Sequence, residues 1–280
     1  MGHGIAQAAA SNGFTVIAFE NEDRFLKSGE ERINGSLSKM VKREKMTQEQ
    51  MDSVLSNISY TTDPADLSDV DMVVEAVIEN MDLKKSLYKS LNEHCKPECL
   101  FASNTSSLSI TEMAEVSGRP ERFVGVHFFN PVQMMKLVEV IHTEHTDDKV
   151  FEAAYNWVES IKKVAVSCGD TPGFIVNRLL VPALTQGMLM LDRGDASIKD
   201  IDVSMQLGAG HPMGPLKLAD YIGLDTCIFI MQGWVDKYPD EPAFTVPKCL
   251  QERVDRGELG RKTGKGFYTW EGDKPVAPVE

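Results

Sequence analysis

Six short apolar runs rich in Val, Ile, Phe and Leu recur along the front of the chain: FTVIAFE (14–20), VDMVVEAVIEN (70–80), CLFASNTSS (99–107), VGVHFFNPV (124–132), KLVEVIH (136–142) and KKVAVSCGD (162–170). Runs of this length and composition read as buried strands. Between them the spacing turns helical: a helix start over 1–10, a charged helix from about Asp23 to Lys45, and a second over 48–57 introduced by Thr47. Further helices are expected over 82–95, from Ser109, and after Thr146-Asp147-Asp148, where Phe151, Tyr155 and Val158 fall on one face. Strands alternating with helices imply a largely parallel sheet covered on both faces. After GDTPGF the pattern becomes helical with Gly/Pro breaks such as LGAGHPMGP. The expectation is therefore an α/β domain over 1–168 and an all-helical domain over 173–280, with the boundary near 167–172.

Composition narrows the function. A formal charge of −13 argues against a nucleic-acid surface. The most apolar helical run, LVPALTQGMLML, is broken by Pro182 and Gln186 and is too short for a membrane span. Cys95, Cys99, Cys168, Cys227 and Cys249 are odd in number and form no CxxC, which suits a reducing intracellular setting and no metal site. His142 and His145 read as surface residues rather than ligands.

Two ionisable residues stand in unusual places. His127 lies inside one expected strand and Glu139 inside another, twelve residues on. A lone buried charge is costly, so such a glutamate needs a partner, and His127 is the simplest one. A carboxylate that orients an imidazole and stabilises its protonated form makes a general base. The competing reading is a structural His–Glu pair in a core.

The front of the chain carries a partial dinucleotide signature. Gly2-His3-Gly4-Ile5-Ala6 looks like the end of a G-x-G-x-x-G loop running into a helix whose N-terminus faces a pyrophosphate, with Gly2 as the third glycine. Glu20, closing FTVIAFE, has the offset of the acidic residue that binds the ribose hydroxyls, and its charge favours NAD over NADP. The preceding strand and the first two glycines are not in the chain. The expectation is a Rossmann-like doubly wound sheet with its first strand missing, and weak NAD binding.

These stretches, together with SNTSSLSIT, RFVGVHFFNPV, MKLVEVI, DTPGFIVNRLL, GAGHPMGPLKLADYIGLD and GRKTGKGFY, resemble the 3-hydroxyacyl-CoA dehydrogenases of the short-chain, single-function type, over almost the whole chain. The resemblance implies NAD-dependent oxidation of (3S)-3-hydroxyacyl-CoA to 3-oxoacyl-CoA, as in fatty-acid β-oxidation or butanoate metabolism. It implies His127 as catalytic base, Glu139 as its paired carboxylate, Ser106 as the hydroxyl beside the substrate oxygen and nicotinamide, and Asn177 as the second-domain residue that completes the site. Gly2, Glu20, Glu79, Lys84, Asn104, Ser106 and Asn130 are the implied cofactor contacts. It also implies a homodimer through the helical domain. The setting would be the mitochondrial matrix of a eukaryote or the cytoplasm of a bacterium.

The substrate side has a signal of its own. Residues 24–45 hold Arg24, Lys27, Arg32, Lys39, Lys42, Arg43 and Lys45 against only Glu30, Glu31 and Glu44, a basic patch in an acidic chain. Such a patch suits the phosphates of coenzyme A, although it also suits a solvated helix face. The resemblance implies CoA contacts from Ser36 and Arg43, with Arg43 standing where the family often has lysine. Three rivals remain: a gulonate dehydrogenase or crystallin-like relative sharing HFFNP-type motifs, an inactive fragment, and a 6-phosphogluconate-type enzyme. The last needs a lysine where this chain has Gly173.

Overall fold

The computed structural model describes residues 1–279. Contacts divide the chain into two compact units, Met1–Phe174 and Ile175–Glu280.

In the first unit, helix α1 (Gly2–Ala10) leads into strand β1 (Val16–Phe19) and the long helix α2 (Asp23–Lys42). The charged helix ends three residues sooner than its composition suggests. Arg43 leaves helical geometry and Glu44 takes a left-handed φ of 56°, which turns the chain toward α3 (Gln48–Ser56). Thr47 starts α3 with a reciprocal capping box: its hydroxyl accepts from the Gln50 amide, and the Gln50 side chain accepts from the Thr47 amide. Strand β2 (Ile58–Thr61) then pairs in parallel with β1. This strand escaped the sequence reading because ISYT is short and only half apolar.

The remaining elements are β3 (Met72–Glu75), α4 (Met81–His94), β4 (Leu100–Ser103), α5 (Ile110–Val116), β5 (Phe123–Phe128), β6 (Leu137–His142), α6 (Asp148–Ser160) and β7 (Val164–Gly169). Strands β3 to β7 form one sheet in sequence order. β3, β4 and β5 run parallel, as do β6 and β7, but β5 and β6 are antiparallel. The link between them, residues 129–136, is too short for the crossover that a parallel pair requires. β1 and β2 form a separate two-stranded sheet. Side chains of β1 and β3 nevertheless share the same apolar clusters: Val16 and Val74 pack with Ile5 and Ala9 of α1 on one side, and Ile17 and Val73 pack with Tyr88 and Phe101 on the other. The doubly wound layout is therefore kept while its sheet is split between β1 and β3.

The buried face of α6 is Val150, Ala154 and Val158, with Phe151 and Tyr155 only partly buried at its margin. Of the stripe expected through Phe151, Tyr155 and Val158, only Val158 is fully buried; the core-facing stripe is shifted toward Val150 and Ala154.

The second unit holds α7 (Val176–Asp192), α8 (Ile198–Gly208), α9 (Pro215–Ile222), α10 (Leu224–Lys237) and α11 (Lys248–Asp255) around one apolar core. It is not wholly helical. Strands β8 (Tyr268–Glu271) and β9 (Lys274–Pro278) close it with an antiparallel hairpin. Buried Asp220 of α9 anchors that hairpin by accepting from the amides of Phe267 and Tyr268, each at 2.8 Å, and from the Trp270 indole at 2.9 Å. Burial raises the Asp220 carboxyl above its ordinary range, against these three donors. Among the described residues, no helix is long and apolar enough to cross a membrane.

Candidate active site

The antiparallel pairing of β5 and β6 sets His127 directly opposite Glu139. His127 Nδ1 lies 2.6 Å from Glu139 Oε2. His127 is 6 % exposed and Glu139 fully buried. An acceptor held against Nδ1 fixes the proton there and leaves Nε2 as the basic nitrogen. Phe129 and Phe174 flank the imidazole, with ring centroids 4.5 and 5.6 Å away. The pair thus has one oriented imidazole, one buried carboxylate and apolar walls.

The loop after β4 carries Asn104 and Ser106. Asn104 Oδ1 accepts from the Phe128 amide at 2.9 Å, which ties this loop to the strand end beside His127. Ser106 is exposed, and its amide donates to Glu79 Oε1 at 2.9 Å while its hydroxyl lies 3.3 Å from the same oxygen. Thr105 also donates its hydroxyl to that oxygen. Burial opposes ionisation of Glu79, but the Thr105 hydroxyl, the Lys84 ammonium and the Ser106 amide outweigh it and hold the carboxyl below its ordinary range. Asn130 is exposed at the end of the same HFFN segment, joined to Pro131 by a cis peptide bond.

Lys84 does not stand at the surface as a cofactor contact would. It is fully buried, with its ammonium 2.6 Å from Glu75 and 3.4 Å from Glu79. Glu75, Ser103 and Thr105 belong to this network and were missed by the sequence reading. A signal was there: Glu75 interrupts the apolar run MVVEAV just as Glu139 interrupts KLVEVI.

The features for a dinucleotide lie around α1 and β1. Gly2 opens α1, where Met1 at the N-cap offers no side-chain cap. Burial, the largest cause, disfavours protonation of His3. Amides at a helix start suit an anionic diphosphate. Gly4 is needed for packing: a Cβ there would come within 2.9 Å of Val132 Cβ. Glu20 is exposed just past the end of β1, with its carboxyl raised by burial and by Glu22. On α2, Ser36 is half-buried and Arg43 is exposed at the C-cap, seven residues or two turns on. Asn177 lies in the first turn of α7, in the second unit.

Residues 1–171 match the 3-hydroxyacyl-CoA dehydrogenase NAD-binding domain, and residues 173–270 match the C-terminal domain of the same family. The chain belongs to the 3-hydroxyacyl-CoA dehydrogenase family. It is 46 % identical over 276 residues to the mitochondrial hydroxyacyl-coenzyme A dehydrogenase of Rattus norvegicus, covering 96 % of this chain and 88 % of the relative. It is 45 % identical to a 3-hydroxybutyryl-CoA dehydrogenase of Bradyrhizobium diazoefficiens, covering 99 % of this chain and 94 % of the relative. Among solved structures, the (S)-3-hydroxybutyryl-CoA dehydrogenase of Ralstonia eutropha superposes with a TM-score of 0.93 at 39 % identity, covering 97 % of this chain and 95 % of that one. As a 3-hydroxyacyl-CoA dehydrogenase family member, the chain has a nicotinamide-dinucleotide domain followed by a helical domain. These comparisons favour the hydroxyacyl-CoA reading over the sugar-acid alternative.

Proposed function

We propose that this protein oxidises (3S)-3-hydroxyacyl-CoA to 3-oxoacyl-CoA with NAD. The observation that carries the reading is the buried His127–Glu139 pair, with Nδ1 on the carboxylate and Nε2 left as base. Nε2 takes the proton of the 3-hydroxyl, and Glu139 offsets the positive charge that His127 gains. NAD, when bound, supplies the hydride acceptor. The Ser106 hydroxyl and Asn177 are proposed as hydrogen-bond partners of the substrate.

Gly2, Glu20, Glu79, Asn104 and Asn130 are proposed to hold NAD, with Lys84 acting through Glu79. The helix start at Gly2 supports a diphosphate there. The exposed Glu20 carboxylate supports NAD over NADP, because it would repel a 2′-phosphate. Ser36 and Arg43 are proposed to meet the CoA phosphates. A homodimer through the second unit is supported by the exposed Leu179, Leu207 and Phe229 on its helices. The mitochondrial matrix of a eukaryote or the cytoplasm of a bacterium is the proposed setting, in keeping with the rat and bacterial relatives.

The test follows NADH absorbance with acetoacetyl-CoA and, separately, with a free sugar acid. Consumption of NADH with the thioester is the expected result. Turnover of the free acid alone would overturn the assignment.

A further inference from the structure

A buried glutamate at the end of a strand needs several donors, and those around Glu75 come from three segments: the turn after β3, α4 and β4. Glu75 Oε1 accepts from the Lys84 ammonium at 2.6 Å and from the Val77 amide at 2.7 Å. Glu75 Oε2 accepts from the Ser103 hydroxyl at 2.7 Å, and the Tyr88 hydroxyl lies 3.4 Å away. Burial pushes Tyr88 well above its ordinary range and keeps it a neutral donor, which it directs mainly at the Ala102 carbonyl, 3.0 Å away. Glu75 and Lys84 are 3 % and 0 % exposed. Desolvating such a pair costs several kcal/mol per ion, so stability alone is a weak reason for it.

The Lys84 ammonium is shared. It is also 3.4 Å from Glu79 Oε2. The other oxygen of Glu79 gathers the Thr105 hydroxyl and the amide and hydroxyl of Ser106. The segment from Ser103 to Ser106 is thus held at one end by Glu75 and at the other by Glu79, with one buried ammonium between the two carboxylates.

We propose that Glu75 is a positioning residue for Ser106: it fixes Lys84, Lys84 fixes the Glu79 carboxylate, and that carboxylate fixes the Ser106 hydroxyl. Without the Glu75 charge, the ammonium would be drawn onto Glu79 alone, and the oxygen that holds Ser106 would turn with it. The catalytic consequence rests on the reading of Ser106 as a substrate partner. The positioning itself does not.

The experiment compares Glu75→Gln, Ser106→Ala and the double variant, with a second readout in the cofactor-free protein. Glu75→Gln should lower kcat on acetoacetyl-CoA by about tenfold, since small misplacements of a positioned group can cost up to about a hundredfold. In the Ser106→Ala background it should cost less than about twofold, because residues acting through one another are not additive. Independently, hydrogen exchange of the Ser106 amide should quicken about tenfold in Glu75→Gln while the β4 amides keep their protection. Unchanged Ser106 exchange, or kcat losses that multiply in the double variant, overturns the proposal. If Ser106→Ala keeps full kcat while the exchange effect appears, the positioning stands and the catalytic reading of Ser106 falls. If Glu75→Gln does not fold, Glu75→Asp takes its part in both readouts: it keeps the charge but shortens the reach to Lys84, and the same outcomes decide.

Discussion

His127 and Glu139 are cross-strand partners in an antiparallel pair, and the imidazole Nδ1 rests 2.6 Å from a fully buried carboxylate oxygen. The backbone register itself orients the imidazole. Neither residue depends on a flexible loop for its place, which suits a group that must present one nitrogen repeatedly in the same direction.

Replacement at this pair is the most direct probe. His127→Gln should lower kcat by at least about a hundredfold, the scale of a lost general base. Glu139→Gln keeps an acceptor for Nδ1 but removes the charge, so its loss should be smaller, on the order of tenfold. NADH affinity, followed by fluorescence titration, should hardly change in either. A His127→Gln enzyme with wild-type turnover would end the assignment of the base.

Arg43 stands exposed at the C-cap of α2, on a helix whose charge is locally basic. Arg43→Glu should raise KM for acetoacetyl-CoA by about tenfold, with kcat nearly unchanged, because it acts on a part of the substrate remote from the reacting carbon. The effect should shrink as salt is raised. A kcat loss at unchanged KM would mean that this face does not meet CoA.

The acid limb of stability should report Glu79. Its folded-state carboxyl is held below the ordinary 4.5, because the Thr105, Lys84 and Ser106 donors outweigh the burial that opposes them. A depressed carboxyl stabilises the fold above the unfolded value, and that contribution is lost as pH falls through the folded value. Urea melts from about pH 6 down to about pH 3 should show the stability gap between wild type and Glu79→Gln closing with acid. A gap that widens on acidification contradicts the sign.

Asp220 joins α9 to the terminal hairpin through three donors. Asp220→Ala would leave two buried amides and an indole N–H without an acceptor, at a cost of about 3 kcal/mol or more. The melting transition of the second unit should fall or disappear. An Asp220→Ala protein that melts like wild type would show that the hairpin is held by its apolar contacts alone.

Much of this was readable along the chain. The alternation of apolar runs with helical spacing indicated a doubly wound layout followed by helices, because burial on both faces demands continuous apolar strands. Thr47 as a helix start, and the odd positions of His127 and Glu139, are local signals, and the structure realises both. The misreadings share one cause: they concern which side chains packing hides. Lys84 is implied as a cofactor contact, and the packing of α4 against the end of β3 instead buries its ammonium beside Glu75. Of the face expected on α6, Val158 is buried, but Phe151 and Tyr155 are only partly so, and Val150 and Ala154 take the core positions instead. The hairpin at 268–278 depends on Asp220, some fifty residues earlier.

Periodicity, caps and the available chemical groups are written along the chain, and so is the short link that makes β5 and β6 antiparallel. The folded chain added the burial of Lys84 beside Glu75 and the hold of Asp220 on the terminal hairpin. Register and burial depend on which distant segments pair and which faces they cover, and local propensity carries no information about either.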